Sequence, residues 1–254
     1  MKPKETPICG LAAVKAKFER EPASIIRLFF DFQTGKKVGA ISKALAATRR
    51  VYRQVEPAEL EKIAGTIHHG GIVAIVEAKA LRSPRAQDVQ HWAKTRAPLV
   101  LLDRVGNAHN LGAIARTAAF FGVKHIIVPE HVQQALPGEA AHRVAEGGLD
   151  QLEILTVKSL AEFCRELARA GYEVAGTAVI GAQPLGKVAA DLAASRKPVA
   201  IVMGNEEHGM APEVAKTCTR LVTIPGSGRV ESLNVSVAAA VLMWELFARA
   251  GRPL

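Results

Sequence analysis

Three loops rich in glycine and amide side chains carry the residues of this chain that could do chemistry. The last loop runs from Ile224 and Pro225 through Gly228 to Ser232 and Asn234, between a β-compatible run and an apolar helical pattern. Several backbone N–H groups exposed where a helix starts can hold an anionic or strongly polar ligand. An ordinary strand, turn and helix capped by Ser232 or Asn234 gives the same pattern, so this loop alone leaves both interpretations open.

Two further loops follow apolar runs that are typical of buried strands. Asn110 follows the run 98–102, and Arg116 lies six residues later on a helix that begins at Leu111. We expect Asn110 to cap this helix and Arg116 to project from its first turns, from where it can reach back towards the loop. The run 199–203 leads directly into a loop that contains Gly204, Asn205, Glu206 and Gly209.

The elements around these loops predict an α/β fold. Between residues 98 and 254, strand and helix patterns alternate, which favours a parallel sheet with helices on both faces. Ligands in such sheets bind at the carboxyl ends of the strands, where all three loops fall. Residues 1–80 predict a smaller α/β domain with a largely parallel or mixed sheet, and the polar segment 81–97 predicts a linker.

The composition is that of a globular protein with one large or two modest domains. With 254 residues, of which 49% are hydrophobic, the chain can bury a substantial core. No apolar run approaches the length of a membrane span, and residues 1–7 lack the apolar core of a signal peptide, so we expect a cytoplasmic protein. Cys9, Cys164 and Cys218 lack C-x-x-C spacing, which predicts packing roles rather than a disulfide framework or a zinc site. We expect no metal.

The positive charge is concentrated in the first third of the chain. The net charge is +9, and residues 1–95 contain 17 Lys and Arg against 9 Asp and Glu. A basic domain joined to a nearly neutral one usually binds a polyanion such as RNA, although a basic surface can also serve only solubility. Candidate RNA contacts are Arg49, Arg50, Tyr52 and Arg53, where the alternative is a solvated basic face, and His68 and His69, where the alternative is a hydrogen bond within a glycine turn.

The order and spacing of the three loop motifs resemble the SpoU (TrmH) class of RNA 2′-O-ribose methyltransferases. The likeness rests on Asn110-x5-Arg116, on Gly204-Asn-Glu206 with Gly209, and on Ile224-Pro225 with Gly228 and Ser232-Leu-Asn-Val235. It covers residues 98–250, and within the class it is greatest to incompletely characterised tRNA/rRNA methyltransferases. Gly10 and the His-His-Gly-Gly run resemble the substrate-binding domain of the class, an α/β fold shared with some ribosomal proteins.

The resemblance implies S-adenosylmethionine-dependent methylation of a ribose 2′-hydroxyl in a structured RNA, with 23S rRNA favoured over tRNA. It also implies a homodimer formed through the C-terminal domain, and a trefoil knot in that domain, which composition and periodicity could not indicate. The C-terminal helical pattern offers apolar surface, for the dimer or for the core, at Val237, Val241, Leu242, Trp244, Leu246 and Phe247.

Two other functions are weighed against this one. A non-catalytic RNA-binding or ribosome-assembly factor that retains the fold is the alternative. A nucleotide-binding enzyme of another kind is disfavoured, because no strand is followed by G-x-G-x-x-G or G-x-x-x-x-G-K.

By the same resemblance, Arg116 lies at the target ribose and phosphate. An arginine normally keeps its proton, so phosphate anchoring suits Arg116 better than a role as base. The other residues that shape the catalytic site are Asn110, Glu206, Ser232 and Asn234. The residues that the resemblance assigns to the cofactor, largely through backbone groups, are Met203, Gly204, Asn205, Gly209, Ile224, Pro225, Gly228, Ser232, Leu233, Asn234 and Val235.

Three positions depart from the usual pattern of the class. Asn107-Ala108 stands where many members have Asp-Pro, Glu207 where glycine is common, and Gly226 where methionine commonly follows Ile-Pro. These departures weaken the assignment of the substrate more than the assignment of the activity. The loops also contain His109 and His208, for which catalysis, RNA contact and a loop role all stay open, because imidazole is the side chain that exchanges protons near neutral pH.

Overall fold

The computed structural model describes residues 5–77 and 80–249, and the first of these segments forms a four-stranded sheet. Its strands are β1 (Glu5–Cys9), β2 (Ile25–Phe30), β3 (Val51–Gln54) and β4 (Ile72–Glu77), and its helices are α1 (Leu11–Arg20), α2 (Phe32–Gly35), α3 (Gly39–Ala47) and α4 (Pro57–Ala64). The order is β1-β4-β2-β3, with β3 parallel to β2 and the other pairs antiparallel. The predicted small α/β domain with a mixed sheet is confirmed.

The second segment forms a sheet of seven strands that all run parallel, in the order β7-β6-β5-β10-β8-β11-β9. The strands are β5 (Leu99–Leu102), β6 (His125–Pro129), β7 (Glu153–Val157), β8 (Glu173–Thr177), β9 (Gln183–Pro184), β10 (Val199–Met203) and β11 (Arg220–Thr223). The helices are α5 (Ala86–Thr95), α6 (Ala108–Phe120), α7 (Glu139–Ala145), α8 (Leu160–Arg169), α9 (Leu185–Ser195), α10 (Pro212–Ala215) and α11 (Val235–Met243). Within residues 5–77 and 80–249, no helix is both long and apolar enough to cross a membrane.

The central strands of this sheet are apolar on both faces because helices cover both faces. In β5, Leu99 and Leu101 pack with α5 and α8, whereas Val100 and Leu102 pack with α6 and α11. The continuous apolar runs in the sequence are therefore those of a buried parallel sheet, as predicted. The trefoil knot that the resemblance implies stays a prediction.

The segment 81–97 differs from the predicted linker, because most of it is the helix α5. Val89 and Trp92 on this helix are buried against the larger sheet, and the Trp92 ring lies 4.6 Å from the His125 ring, centroid to centroid. Arg82 joins β7 to α5 through ion pairs with Glu153 and Asp88. The polar residues that suggested a linker occupy the exposed face of an amphipathic helix.

The two sheets are joined by a contact between α1 and a 3-10 turn at Gly148–Asp150. The Asp150 side chain is 4% exposed and pairs with Lys17 of α1 at 3.4 Å, while Arg20 donates a hydrogen bond to the Asp150 carbonyl. Burial and the Lys17 charge lower the pKa of the neighbouring His142 to about 4, so this imidazole is neutral at pH 7. The cations that face Asp150 are therefore Lys17 and Arg20 of α1.

The C-terminal helical stretch is divided between core and surface. Leu242, Leu246 and Phe247 are buried in the core of the larger sheet, so they offer no surface to a partner. Val241 is partly buried against the same core. Val237 and Trp244 remain 49% and 54% exposed. Of the six residues expected to form an apolar surface on this stretch, only Val237 and Trp244 are largely exposed.

The cysteines pack, as predicted. Cys9 and Cys164 are buried in the cores of the two sheets, and Cys218 packs at the edge of the core beside α8. Burial raises the pKa of Cys164 to about 11 and that of Cys218 to about 12. These thiols are protonated at neutral pH and are poor nucleophiles.

Candidate active site

The three loops of interest meet at one edge of the larger sheet. They follow β5, β10 and β11, whose carboxyl ends lie on the same side because all the strands are parallel. β5 and β10 are direct neighbours, and one strand separates β10 from β11. The predicted location at the carboxyl edge is confirmed.

A buried carboxylate ties the first loop to the second. Asp103 directly follows β5, and its Oδ2 accepts a hydrogen bond from the backbone N–H of Ala211 at 2.6 Å. Its Oδ1 accepts a second bond from Arg104 Nε at 3.0 Å. In return, the Asn205 side chain donates to the Arg104 carbonyl at 2.9 Å. Asp103 and Arg104 were not predicted as site residues from the sequence, although their place directly after a buried strand was a usable signal.

The second loop closes on itself and needs glycine at its first position. The backbones of Asn205 and Gly209 exchange two hydrogen bonds of 3.0 and 2.9 Å. A Cβ atom on Gly204 would overlap the backbone of Gly209 and Met210, so no larger residue fits there without a shift of the loop. Asn205 Oδ1 accepts from the N–H groups of Glu207 and His208, which fixes the chain around Glu206.

The prediction that Asn110 caps α6 is wrong, and the correction explains its role. The helix begins at Ala108, and Asn107 is the cap, with its Oδ1 accepting the N–H of His109 at 2.8 Å. Asn110 lies in the first turn with its side chain free to leave the helix. Its Nδ2 donates to Glu206 Oε1 at 2.7 Å, and its Oδ1 accepts from Asn234 Nδ2 at 3.1 Å. One side chain from each loop is thus joined in a single hydrogen-bonded chain.

The third loop is open between strand and helix. Asn234, the second of the two predicted caps, caps α11 by accepting the N–H of Ser236 at 2.9 Å. In the described segment 225–233, the backbone group with a hydrogen-bond partner is the N–H of Arg229, which donates to Ser227 Oγ. Ser232 is exposed and has no hydrogen bond to a described residue. It is therefore not part of the hydrogen-bonded chain that joins Asn110, Glu206 and Asn234.

Several predicted cofactor residues have buried side chains, so only their backbone N–H and C=O groups are available at the carboxyl edge of the sheet. The Met203 and Val235 side chains are buried in the core of the larger sheet, and Ile224 packs partly against it. Leu233 is 49% exposed, and Pro225, Gly226 and Gly228 are exposed. Free backbone donors and acceptors beside an exposed leucine suit a ligand with a polar and an apolar part, so these residues fit an adenosyl group.

Arg116 is turned towards α7 instead of back towards its own loop. Its Nη1 lies 3.0 Å from Glu146 Oε1, and the two side chains are 57% and 55% exposed. Glu146 was not predicted as a site residue from the sequence, although the Gly147-Gly148 pair that follows it marks an unusual turn. Arg116 is therefore exposed on α6, and no hydrogen bond or ion pair among the described residues joins it to the two loops assigned to the cofactor.

The loop histidines contact charged neighbours. His109 Nε2 lies 3.5 Å from Nη2 of Arg143, which also donates to Glu139. His208 Nε2 lies 3.8 Å from the Glu207 carboxylate, and both side chains are largely exposed. Catalysis, RNA contact and a loop role stay open for both histidines.

The candidate RNA contacts of the smaller sheet fall into two groups. Arg49 and the edge strand β3, with Tyr52 and Arg53, are exposed, and Arg53 pairs with Glu59. By contrast, Arg50 donates to the carbonyls of Pro22 and Ile25 at 2.7 and 2.9 Å, which gives it a structural role. His69 Nδ1 accepts the N–H of Gly71, which is the turn hydrogen bond foreseen as the alternative, and His68 is exposed.

Two other features bear on where a ligand could lie. A cavity of about 580 Å³, lined among others by Glu173, Lys197 and Arg220, opens at the amino ends of β8, β10 and β11, on the opposite edge from the three loops. Among the described residues, no three His, Cys, Asp or Glu side chains are arranged to hold a metal ion.

Comparison with known proteins gives two family matches that together span most of the chain. Residues 97–244 match the SpoU rRNA Methylase family, and residues 7–81 match the RNA 2′-O ribose methyltransferase substrate-binding family. These matches coincide with the larger and the smaller sheet.

Similar proteins and structures carry consistent names. The chain is 35% identical over 241 residues to the 23S rRNA (guanosine-2′-O-)-methyltransferase RlmB of Bordetella pertussis, covering 94% of this chain and 95% of that protein. It is 33% identical over 245 residues to the uncharacterized tRNA/rRNA methyltransferase YfiF of Escherichia coli O157:H7, covering 95% and 67%.

The fold is shared with solved structures that hold AdoMet. One is the rRNA methyltransferase of Sinorhizobium meliloti, with a TM-score of 0.76, 24% identity and coverage of 96% and 87%. Another is the SpoU methyltransferase AviRb of Streptomyces viridochromogenes, with a TM-score of 0.73, 24% identity and coverage of 96% and 90%. With the two family matches and the relatives above 30% identity, the chain belongs to the SpoU family of RNA 2′-O-ribose methyltransferases, enzymes that use S-adenosylmethionine.

Proposed function

We propose that this protein methylates the 2′-hydroxyl of a ribose in 23S rRNA. The observation that carries the proposal is the pair of hydrogen bonds at Asn110, which bring Glu206 and Asn234 of the other two family motifs together. The choice of 23S rRNA is supported by relatives named for that substrate, which are 34–35% identical to this chain over 94% of its length. A 23S rRNA substrate would also place the protein in the cytoplasm, as the sequence predicts.

The loops after β10 and β11 are proposed to hold S-adenosylmethionine, whose sulfonium carries the methyl group to be transferred. Methyl transfer needs the ribose oxygen in line with that methyl, so the contribution of the protein is orientation. Asn110 fixes one oxygen of the Glu206 carboxylate, and the other has no hydrogen bond to a described residue. It is therefore free to accept the 2′-hydroxyl proton in a hydrogen bond, with the carboxylate already in place before RNA arrives.

Arg116 is proposed to anchor the phosphate next to the target ribose. A guanidinium has five N–H donors in a planar fork, and Glu146 occupies one of its nitrogens in the free protein. The remaining donors can engage a phosphate through two parallel hydrogen bonds. Because Arg116 lies outside the loops assigned to the cofactor, its role should be separable from cofactor binding.

The first prediction tests the substrate. A strain that lacks this protein should lose one 2′-O-methylated nucleotide from its 23S rRNA and none from its tRNA, as read by mass spectrometry. The wild-type gene should restore the mark and Asn110→Asp should not, because a carboxylate cannot donate to Glu206 and would repel it.

Gln90→Glu, the same amide-to-carboxylate change at an exposed position of α5, is the matched control and should restore the mark. Loss of a tRNA methylation instead would show that the substrate is tRNA and not 23S rRNA. An unchanged methylation profile in both RNAs would favour the non-catalytic RNA-binding factor.

The second prediction separates Arg116 from the cofactor. Arg116→Lys keeps the charge but loses the planar fork, so it should lose most of the methyl transfer activity, and Arg116→Ala nearly all of it. A loss of about a hundredfold or more matches removal of one preorganised electrostatic contact. S-adenosylmethionine affinity, measured by calorimetric titration, should change by less than about tenfold, or 1.4 kcal/mol. A near wild-type rate of methyl transfer for Arg116→Ala would contradict the proposed role of Arg116 in the active site.

The smaller sheet is proposed to bind RNA through its edge strand β3. The family match over residues 7–81 supports RNA binding by this part of the chain, and the edge strand exposes Tyr52 and Arg53, with the exposed Arg49 two residues before it. Exposed arginines and an exposed aromatic ring on one sheet edge suit contact with phosphate and with an unpaired base.

The third prediction tests this surface by salt dependence. Arg49→Gln with Arg53→Gln should weaken binding to a 23S rRNA fragment and lower the slope of log affinity against log salt by roughly 1 per arginine, because fewer counterions are released. Arg165→Gln on α8 removes a similarly exposed arginine from the other sheet and serves as the control. Equal slopes for the double variant and the wild type would exclude β3 from the RNA interface.

A homodimer through the larger sheet is the last part of the proposal. Phe120 is 82% exposed at the end of α6, and the ring of its neighbour Phe121 lies 6.2 Å from that of the half-exposed Trp244, centroid to centroid. An exposed apolar patch of this kind usually marks a surface that binds another protein subunit.

The fourth prediction concerns this dimer. Sedimentation at micromolar concentration should show a dimer for the wild type and a monomer for Phe120→Glu, because the new charge would be buried without a partner at the interface. Ile67→Glu places the same charge on an exposed apolar residue of the smaller sheet and should leave the dimer intact. A monomeric wild type would end the proposal of a dimer.

A further inference from the structure

The ion pair between Arg116 and Glu146 connects two helices of the larger sheet. Arg116 lies on α6, and Glu146 lies directly after α7, where its backbone is left-handed with φ of 46°. A residue other than glycine is uncommon in this conformation. Glu146 is thus held in an unfavourable backbone conformation, with its carboxylate directed at Arg116.

The turn that follows Glu146 is packed on both sides. A Cβ on Gly148 would lie 2.8 Å from the Cα of Arg116, so the turn rests directly on the backbone of α6. A Cβ on Gly147, whose φ is +90°, would likewise lie 2.8 Å from the Cβ of Ala16 on α1. Two residues further on, Asp150 is held by Lys17 and Arg20 of α1. The backbone of Glu146 is therefore fixed relative to that of Arg116.

The ion pair is too exposed to serve stability. Pairs between exposed side chains contribute little to stability, because solvent screens them and ordering two long side chains costs entropy. Its effect falls instead on the conformation of Arg116, a side chain with many rotamers when free. One ion pair from a rigid turn restricts that freedom and leaves most of the N–H donors available.

We propose that Glu146 is a positioning residue for Arg116, holding its guanidinium ready for the phosphate beside the target ribose. This inference rests on the role of Arg116 in the proposed function. The alternative role for the same pair is competition, in which Glu146 takes the place of a phosphate and competes with RNA for Arg116. The two roles predict opposite changes in turnover when the carboxylate is removed.

The test is the steady-state kinetics of Glu146→Gln on 23S rRNA. For a positioning residue, kcat should fall about fivefold, the equivalent of ~1 kcal/mol for an exposed ion pair. KM for RNA should stay unchanged or fall, because a negative charge near the RNA has been removed. Glu146→Asp keeps the charge and tolerates a left-handed backbone, so it should recover most of the loss. Unchanged or increased kcat with tighter RNA binding would overturn the proposal in favour of competition.

Two controls show whether the effect passes through Arg116. Glu162→Gln breaks a similarly exposed glutamate–arginine pair on α8 and should leave kcat and KM unchanged. In an Arg116→Ala background, Glu146→Gln should cause no further loss of kcat, since nothing is left to position. A fivefold loss in that background as well would show that Glu146 acts by another route and would contradict the proposal.

A measurement without turnover keeps this inference distinct from the proposed function. The Nε–Hε resonance of Arg116, assigned by its disappearance in Arg116→Lys, should shift in Glu146→Gln and stay in place in Glu162→Gln. If the wild type methylates no RNA, the proposed function fails, whereas this resonance still reports the ion pair. If the Arg116 resonance does not shift in Glu146→Gln, Glu146 does not position Arg116, whether or not the wild type methylates RNA.

Discussion

The side-chain amide of Asn110 is the interaction on which the candidate site depends, because it is where the three loops are joined. Its nitrogen donates to Glu206 and its oxygen accepts from Asn234, so one planar group sets the spacing of two loops from distant parts of the sequence. A carboxylate of the same shape could only accept and would lose the bond to Glu206. Asn107 makes this possible, because it caps α6 and leaves Asn110 free to reach across the sheet edge.

The loops can be held this accurately because the sheet below them is rigid. β5 and β10 are buried on both faces and directly paired, which fixes the starting points of the first two loops. Asp103 then binds the backbone of Ala211 just beyond the second loop, and Gly204 lets that loop turn against its own end. The third loop has few internal hydrogen bonds between strand and helix, which suits a segment whose backbone groups are used by a ligand.

The sequence predicted what depends on local pattern and missed what depends on neighbours in space. Apolar runs on both faces predicted the parallel sheet and the edge where the loops lie. The cap of α6 was assigned to Asn110 because both Asn107 and Asn110 suit a cap, and the helix start differs by a single turn. The segment 81–97 is polar in sequence and so predicted a linker. Most of it folds as a helix because Trp92 packs on His125, a contact between distant parts of the chain that the local pattern does not show. The turn at Glu146 left a signal in the sequence, but its ion pair did not, because its partner Arg116 lies thirty residues away.

The position of Arg116 links the reaction to the proposed dimer. Arg116 and Phe120 lie four residues apart on α6, so they share one face of that helix. A partner that covers Phe120 would therefore lie beside Arg116, and RNA bound there would contact both subunits or be shaped by the second one. The loops that fit the cofactor are joined through Asn110 within one chain, and no described contact links Arg116 to them. The loops proposed for the cofactor are thus held together within one chain, whereas the RNA contact proposed at Arg116 lies on the face of α6 that the proposed partner would adjoin.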